Sequence, residues 1–164
     1  MLLLLDRLQN AKYHELMSVY EESILADAAL HYKKLDHGVA VQYAQQDLYT
    51  YLDDIFFKTD GACLALWEDG FYRAALRLEP YRDGFLITAL ETEPHSRRKG
   101  YGIKLLQAVT GKYSILYSHV DRSNPASMQC HLKAGFFRSL DHSEFIDGTV
   151  HPECVTLKYA AESR

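Results

Sequence analysis

The chain has 164 residues, 48% of them hydrophobic, and this length and composition suit a single domain over residues 1–164 with one sizeable core. The formal net charge is −4 and no long basic run is present that could track a nucleic-acid backbone, so nucleic acid is not expected as a partner. The apolar run at 2–5 is too short for a signal peptide or a membrane span, and we expect a cytoplasmic protein without a membrane partner.

The spacing of cysteines and histidines bears on redox and metal chemistry. Cys63, Cys130 and Cys154 are odd in number, widely separated and without a CxxC pair, so neither a disulfide framework nor a zinc site is expected. We expect these thiols to behave as small buried apolar residues. The 8 histidines include no HExxH or similar spacing, and the sequence therefore predicts no metal site.

The first 61 residues predict one strand and two helices. The apolar run at 2–5 predicts a buried strand, and apolar side chains then recur at helical spacing from Tyr13 to about Leu35. This pattern breaks at His37-Gly38, and a second amphipathic stretch ends near Asp60-Gly61. Two helices are therefore expected before the main sheet.

Short strands and two further helices are predicted for the rest of the chain. Asp69-Gly70 between two apolar runs is a strong hairpin signal, because this pair tolerates the positive φ of tight turns. Gly111 is expected to end one helix, and Asn124-Pro125 to begin another, since Asn is a good N-cap and Pro suits the first helical position. The predicted order is strands 63–68, 71–78 and 85–93, helix 101–110, strand 114–120, helix 124–135, and strands 136–140 and 155–159.

The turn at 94–102 joins a predicted strand to a predicted helix. Gly100 and Gly102 would let backbone N–H groups converge without side chains in the way, and the helix start adds further unpaired N–H groups. Arg97, Arg98 and Lys99 add positive charge at the same place. The turn therefore predicts a phosphate site, although the glycines alone are equally typical of an ordinary strand-to-helix turn.

Two familiar nucleotide motifs do not match this turn. A Walker A loop requires Gly-Lys-Ser/Thr after four intervening residues, and that sequence is missing. A dinucleotide fingerprint requires a third glycine at the position of Leu105. A different phosphate-bearing ligand is implied.

Two motifs together resemble the GNAT (GCN5-related N-acetyltransferase) superfamily. They are Arg97-x-x-Gly100-x-Gly102 with Pro94 three residues before the Arg, and Asn124-x-x-Ser127 followed by Lys133-x-Gly135-Phe136. The resemblance covers roughly residues 60–160. It implies an α/β fold with a central, mostly antiparallel sheet flanked by helices, and acetyl-CoA as the cosubstrate.

The resemblance also implies a set of cofactor-binding residues. Backbone groups of Leu90 and Thr92 would hold the pantetheine arm, and the amides of residues 98–103 would hold the pyrophosphate. The implied set is Leu90, Thr92, Arg97, Arg98, Lys99, Gly100, Tyr101, Gly102, Ile103, Asn124 and Ser127. Asn124 would also serve as a helix cap, and Ser127 also suits the first turn of that helix.

Candidate catalytic residues follow from the same resemblance. His131 stands where the family usually has a Tyr acid, and its imidazolium could protonate a leaving thiolate. It could equally be an exposed helix histidine. His119 matches a position where some relatives carry a base, and Glu91 and Glu93 are further base candidates. Each Glu could instead be a solvated charge at the end of a strand.

The resemblance implies an N-acetyltransferase that acetylates a primary amine, of a small molecule or of a peptide or protein, by direct attack in a ternary complex. The alternative is a non-catalytic acyl-CoA-binding or regulatory module, because the usual Tyr is replaced by His131. A third reading is a partner-binding domain without a cofactor, and a homodimer is compatible with the sequence. An acceptor pocket is expected at the N-terminal helices, which are rich in tyrosine: Tyr20, Tyr32, Tyr43, Tyr49 and Tyr51.

Overall fold

The computed structural model describes residues 1–162 as a mixed sheet with helices on both faces. The helices are α1 (Tyr13–Val19), α2 (Glu21–His31), α3 (His37–Asp54), α4 (Tyr101–Thr110) and α5 (Pro125–Lys133). The strands are β1 (Leu2–Leu5), β2 (Cys63–Asp69), β3 (Phe71–Tyr81), β4 (Gly84–Thr92), β5 (Ile115–Asp121), β6 (Phe137–Leu140), β7 (Ser143–Glu144), β8 (Val150–His151) and β9 (Cys154–Ala160). The predicted succession of strands and helices is therefore largely observed.

Seven strands form one sheet in the order β1-β2-β3-β4-β5-β9-β6. Every neighbouring pair in it is antiparallel except β4 and β5, which are parallel. Helices α1, α2 and α3 pack on one face and share a buried cluster that includes Leu16 and Leu52. Helix α4 packs on the other face through Leu105 and Leu106. This architecture confirms the α/β fold class expected from the sequence.

The N-terminal helices differ from the prediction in two places. Tyr20 separates α1 from α2, so the expected single helix is two helices. The break expected around His37-Gly38 lies slightly earlier, because α2 ends at His31 and α3 begins at His37. The side chain of Asp36 caps α3 by accepting a hydrogen bond from the Gly38 N–H at 3.2 Å, and this cap compensates for a glycine in the first turn.

Strands β4 and β5 pair over only three residues and then separate. The paired residues are Phe85–Ile87 and Leu116–Ser118. The strands approach most closely just before this pairing, where a Cβ on Gly84 would overlap the carbonyl oxygen of Ile115. Beyond Ile87 the β5-facing edge of β4 has no strand partner, which opens a wedge in the sheet.

A bulge in β4 lies at the start of this opening. Ala89 has a φ of 48°, and it lies with Leu90 opposite the single residue Leu76 of β3. Such a bulge bends a strand and redirects its side chains. The hydroxyl of Tyr20 donates a hydrogen bond to the Ala89 carbonyl at 3.2 Å, so the break between α1 and α2 is tied to the bulge.

A small hairpin formed by β7 and β8, residues 143–151, is absent from the sequence-based prediction. Two residues fix its first strand: the Tyr81 hydroxyl donates to the Glu144 carbonyl at 2.5 Å, and Arg82 lies 2.8 Å from the Glu144 carboxylate. Its tip carries Phe145, Ile146 and Asp147. The hairpin lies beside the opening between β4 and β5.

Residues 1–162 contain neither a candidate membrane span nor a candidate metal cluster. Over that range, no helix has the length and apolar character needed to cross a bilayer. Within the same residues, no three His, Cys, Asp or Glu side chains come together in a group that could hold a metal ion.

Candidate active site

The turn before α4 presents a row of unpaired backbone N–H groups. Arg98 and Gly100 both have left-handed backbone angles, with φ of 62° and 80°. The first helical bond of α4 runs from the Lys104 N–H to the Gly100 carbonyl, and no acceptor among the described residues pairs with the N–H groups of residues 98–103. Such an arrangement at the positive end of a helix is suited to binding an anion.

The basic residues of this turn have different surroundings. Arg97 forms an ion pair with Glu22 of α2, which raises the pKa of Arg97 and lowers the pKa of Glu22. Lys99 Nζ donates to the carbonyl of His95 at 3.1 Å. These contacts hold the turn against α2 and against its own preceding segment.

A groove of about 840 Å³ runs from this turn between β4 and α5. Ten of the eleven implied cofactor residues line it, and Lys99 is the exception because its side chain folds back onto His95. Asn124 caps α5 by accepting from the Ser127 N–H at 3.1 Å. The groove also contains Cys130, which the sequence motifs did not single out.

Gly102 lines this groove between β4 and α5. A Cβ at this position would lie 3.4 Å from Thr92 Oγ1 on β4 and 3.6 Å from Cys130 Sγ on α5. Both distances are ordinary van der Waals contacts, so a methyl group could be accommodated without disturbing the backbone. The absence of a side chain at Gly102 therefore keeps the passage between strand and helix open.

A second cavity, which we call the acceptor cavity, continues through the opening between β4 and β5. Its volume is about 890 Å³, and it shares Leu90 and Ser127 with the groove. His119 and His131 both line it. The groove that begins at the turn before α4 therefore adjoins the cavity that both candidate histidines line.

His131 is buried, with only 1% of its surface exposed, and is not the exposed helix residue considered above. Its Nδ1 lies 2.8 Å from the backbone carbonyl of Ser127, which requires a proton on Nδ1. Nε2 is buried with no partner among the described residues. Burial lowers the pKa of His131. At neutral pH this imidazole is uncharged and presents a lone pair rather than an acidic proton.

His119 lies on β5, and its pKa is lowered like that of His131. Burial, together with the charges of Arg82 and His151, lowers the pKa of His119 to about 4. Its ring stacks on Phe145 of the hairpin, with centroids 5.4 Å apart and planes at 21°. Its Nε2 has no partner among the described residues. His119 is therefore also a neutral acceptor at neutral pH.

The two glutamates at the end of β4 have different environments. Glu93 is buried and accepts from the Ser96 hydroxyl at 2.6 Å and from the His95 N–H at 3.0 Å. Burial favours its neutral form, but these hydrogen bonds outweigh burial and lower the pKa of Glu93. It lines neither the groove nor the acceptor cavity. This geometry argues against the base role expected for Glu93 and gives it a capping role.

Glu91 remains close to the groove. Burial raises the pKa of Glu91, although Ser23 donates a hydrogen bond to its carboxylate. It lines the groove and a third cavity of about 710 Å³ between α2 and α3, which also contains Asp27 and Asp47. It does not line the acceptor cavity with the histidines.

The tyrosine-rich helices contribute less to the site than expected. Tyr51 lines the acceptor cavity, and Tyr20 lines the third cavity. Tyr32 and Tyr43 stack on each other with centroids 5.4 Å apart, and Tyr49 packs on Tyr13. Most of this stripe therefore serves packing between helices.

Sequence reasoning missed the hairpin residues Phe145, Ile146 and Asp147, which form one wall of the acceptor cavity. A local signal was present, because Asp147-Gly148 is a typical hairpin turn and Gly148 has a φ of 84°. The flanking strands are only two residues each, which is too short for an alternating pattern to reveal them.

The sheet opens between two parallel strands, and a helix start suited to binding an anion lies beside the opening. A sequence profile of the Acetyltransferase (GNAT) family matches residues 23–136. The chain belongs to this family, which confirms the resemblance drawn from the two motifs. No curated protein sequence gives a significant match.

Solved structures agree with the family assignment. A GNAT-family acetyltransferase from Bacillus cereus is 16% identical with a TM-score of 0.58, over 99% of each chain. An aminoglycoside acetyltransferase in complex with coenzyme A and kanamycin is 16% identical with a TM-score of 0.62, over 98% of this chain and 95% of that one. A GNAT acetyltransferase from Elizabethkingia anophelis with acetyl-CoA bound is 17% identical with a TM-score of 0.52, over 65% of this chain and 80% of that one. At these identities the likeness supports the fold alone.

Proposed function

We propose that the protein transfers an acetyl group from acetyl-CoA to a primary amine, by direct attack while both substrates are bound. One observation carries this proposal: the groove that begins at the unpaired N–H groups of residues 98–103 is continuous with the acceptor cavity through Leu90 and Ser127. The structural relatives solved with acetyl-CoA, or with coenzyme A and kanamycin, support the same pair of substrate classes.

The chain's own residues account for binding of the donor. The N–H groups of residues 98–103 would take the pyrophosphate, because each lacks a protein acceptor and lies at the start of α4. The unpartnered edge of β4 at Leu90 and Thr92 would hold the extended arm in the manner of an added strand. Asn124 and Ser127 would contact this arm from α5. Acetyl-CoA supplies an acyl group activated as a thioester.

Starting from a neutral amine, the transfer requires one proton to move, and an acceptor that binds as an ammonium ion must first lose another proton. A bond forms between the amine nitrogen and the acyl carbon, the bond between that carbon and sulfur breaks, and a proton from the amine must reach the sulfur. His131 lines the acceptor cavity one helical turn after Ser127, which also lines the groove, and its Nε2 carries a free lone pair. We assign it the role of accepting the amine proton and then delivering it to the thiolate.

This assignment modifies the acid role expected from the sequence. A resting imidazolium is disfavoured because burial lowers the pKa of His131. The residue would therefore act as an acid only after it has received a proton within the catalytic cycle. His119, across the cavity on β5, is the second proton acceptor in this scheme.

The second candidate function is a non-catalytic acyl-CoA-binding module. The observation that favours it is the neutral state of His131, since a buried neutral imidazole offers no resting acid in place of the family's Tyr. Both functions require acetyl-CoA binding, and only the first requires turnover.

Release of free thiol from acetyl-CoA, measured with a panel of primary amines, separates these functions. The expected result is amine-dependent thiol release, together with an acetylated product detected by mass spectrometry. Calorimetry with acetyl-CoA is run in parallel. Binding without thiol release would favour the non-catalytic module, and absence of binding would overturn the acetyl-CoA assignment.

A further inference from the structure

The mouth of the acceptor cavity is flanked by exposed apolar side chains from two separate elements. Ile55 follows the C-terminus of α3 and is 60% exposed, and Ile146 at the hairpin tip is 58% exposed. Both line the cavity, and Phe145 beside Ile146 is 38% exposed. A single exposed apolar residue requires no explanation, whereas a cluster around a concave site is typical of a ligand-binding surface.

The aromatic wall of this cavity is held in a fixed position. The Phe145 ring stacks on His119, with centroids 5.4 Å apart, and on His151, with centroids 4.0 Å apart. The adjacent backbone is tied to β3 by the hydrogen bond between the Tyr81 hydroxyl and the Glu144 carbonyl. A preformed aromatic wall can bind an apolar group without a large loss of side-chain entropy.

The charged residues that line the cavity are carboxylates, which favours binding of a cation. No Lys or Arg among the described residues lines it, and its carboxylates are Glu79 and Asp147. Asp147 accepts a hydrogen bond from the Thr149 N–H at 2.9 Å, which lowers the pKa of Asp147 and keeps it ionised. His119 and His131 line the same cavity, and the buried Nε2 of each lacks a partner among the described residues.

We infer that the acceptor is a primary amine carried on an aromatic or branched aliphatic body, an inference that rests on the proposed acetyl transfer. The apolar body packs against Phe145, Ile146 and Ile55, while the amine reaches the histidines. A polycation lacks the apolar surface that these walls require. It would be better matched to the third cavity, where Asp27, Asp47 and Glu91 lie together.

The first experiment compares phenethylamine and isoamylamine with spermidine and kanamycin. We expect kcat/KM to be higher for the two apolar amines by about tenfold or more, because small differences in apolar contact within a pocket give discrimination of that order. A preference for spermidine or kanamycin would overturn the inference and direct attention to the acidic third cavity.

The second experiment introduces a positive charge at the mouth of the acceptor cavity and includes a matched control. Ile146→Lys places a cation against the apolar wall, and we expect it to lower kcat/KM for phenethylamine by about tenfold or more. Val150→Lys adds the same charge to the same hairpin, at a residue that is 55% exposed but does not line the cavity, and it should have little effect. Equal effects of both variants would overturn the inference.

Calorimetric binding of phenethylamine in the presence of CoA gives a readout that does not depend on turnover. If no amine is acetylated but phenethylamine binds and Ile146→Lys weakens that binding, the ligand class stands and the proposed transfer fails. If phenethylamine does not bind while CoA does, the ligand class is overturned.

Discussion

The Nδ1 atom of His131 and the backbone carbonyl of Ser127 lie 2.8 Å apart, and this hydrogen bond determines which ring nitrogen carries the proton. Because a carbonyl can only accept, Nδ1 carries the proton and Nε2 carries the lone pair. The contact joins residues four apart on one face of α5. The helix itself therefore sets the tautomer of the proposed proton carrier.

The first prediction concerns His131. His131→Ala should lower kcat by about 10²–10⁴-fold, the usual contribution of general acid–base catalysis, with little change in the Kd for acetyl-CoA. In the unmodified protein kcat/KM should fall only at pH values below the usual histidine range, because burial lowers the pKa of His131. This acidic limb should be lost in the variant. Turnover that agrees within about a factor of two, with an unchanged pH profile, would make His131 a packing residue only.

A second prediction links His119 to stability. The unfolded chain binds a proton at this residue near pH 6.5, whereas the folded protein does so only near its pKa of about 4. Folding stability should therefore decrease as pH falls from about 6.5 to about 4, and then level off with respect to this group. His119→Gln should flatten this dependence, measured as the free energy of unfolding in urea across that pH range. Parallel curves for the two proteins would contradict the prediction.

A substitution at Gly102 should change the affinity for acetyl-CoA without lowering the free energy of unfolding. Gly102→Ala should weaken acetyl-CoA binding while leaving the free energy of unfolding unchanged or higher, because the added methyl group enters the groove at ordinary contact distances and Ala favours the helix. Gly100 is a poorer probe, since its φ of 80° would make any side chain strained.

Gly111→Ala, at the other end of α4, is the matched control for Gly102. Gly111 has an ordinary φ of −73° and lies outside the groove, so its replacement should leave the Kd for acetyl-CoA unchanged. Calorimetry and urea denaturation on both variants test the pair. Equal loss of affinity in the two variants would indicate that substitutions at either end of α4 weaken acetyl-CoA binding, and not only the one that enters the groove.

Substitution of Glu91, on β4, and of Glu93, just after β4, should affect different properties. Glu93→Gln removes a carboxylate that accepts from Ser96 and from the His95 N–H, and should lower the free energy of unfolding by about 1–3 kcal/mol with kcat unchanged. Because the pKa of Glu93 is lowered, its stabilisation should be present above its unfolded pKa and be lost as pH falls through the folded one.

Glu91→Gln should affect acetyl-CoA binding or turnover more than folding, since Glu91 lines the groove and burial already raises its pKa. The comparison requires denaturation curves and steady-state kinetics on both glutamate variants. A large loss of kcat in Glu93→Gln at unchanged stability would restore Glu93 as a base candidate.

Local signals accounted for most of the fold. Asp69-Gly70 and Asn124-Pro125 specify a turn and a cap through their own backbone preferences, and α4 ends before Gly111, so the structure has these three features where the sequence placed them. The turn before α4 could be predicted for the same reason, because Gly100 adopts a positive φ and Gly102 leaves space beside the start of the helix.

Contacts distant in sequence were not predictable in the same way. The break at Tyr20 coincides with a hydrogen bond to Ala89, 69 residues away. His131 is buried in the wall of a cavity that elements distant in sequence form together, and no local pattern describes that cavity. The hairpin that stacks Phe145 on His119 likewise depends on tertiary contacts.

The overlap that any side chain on Gly84 would make with Ile115 has a further consequence. These residues mark the apex at which β4 and β5 meet, and the width of the gap near Leu90 depends on the angle between the two strands at that apex. In the proposed acetyl transfer this gap would hold the acyl group, and Gly84 at the apex would then help to set the length of acyl chain that fits. Selection for longer or shorter acyl donors could act there while leaving both the phosphate turn and the proton carrier intact.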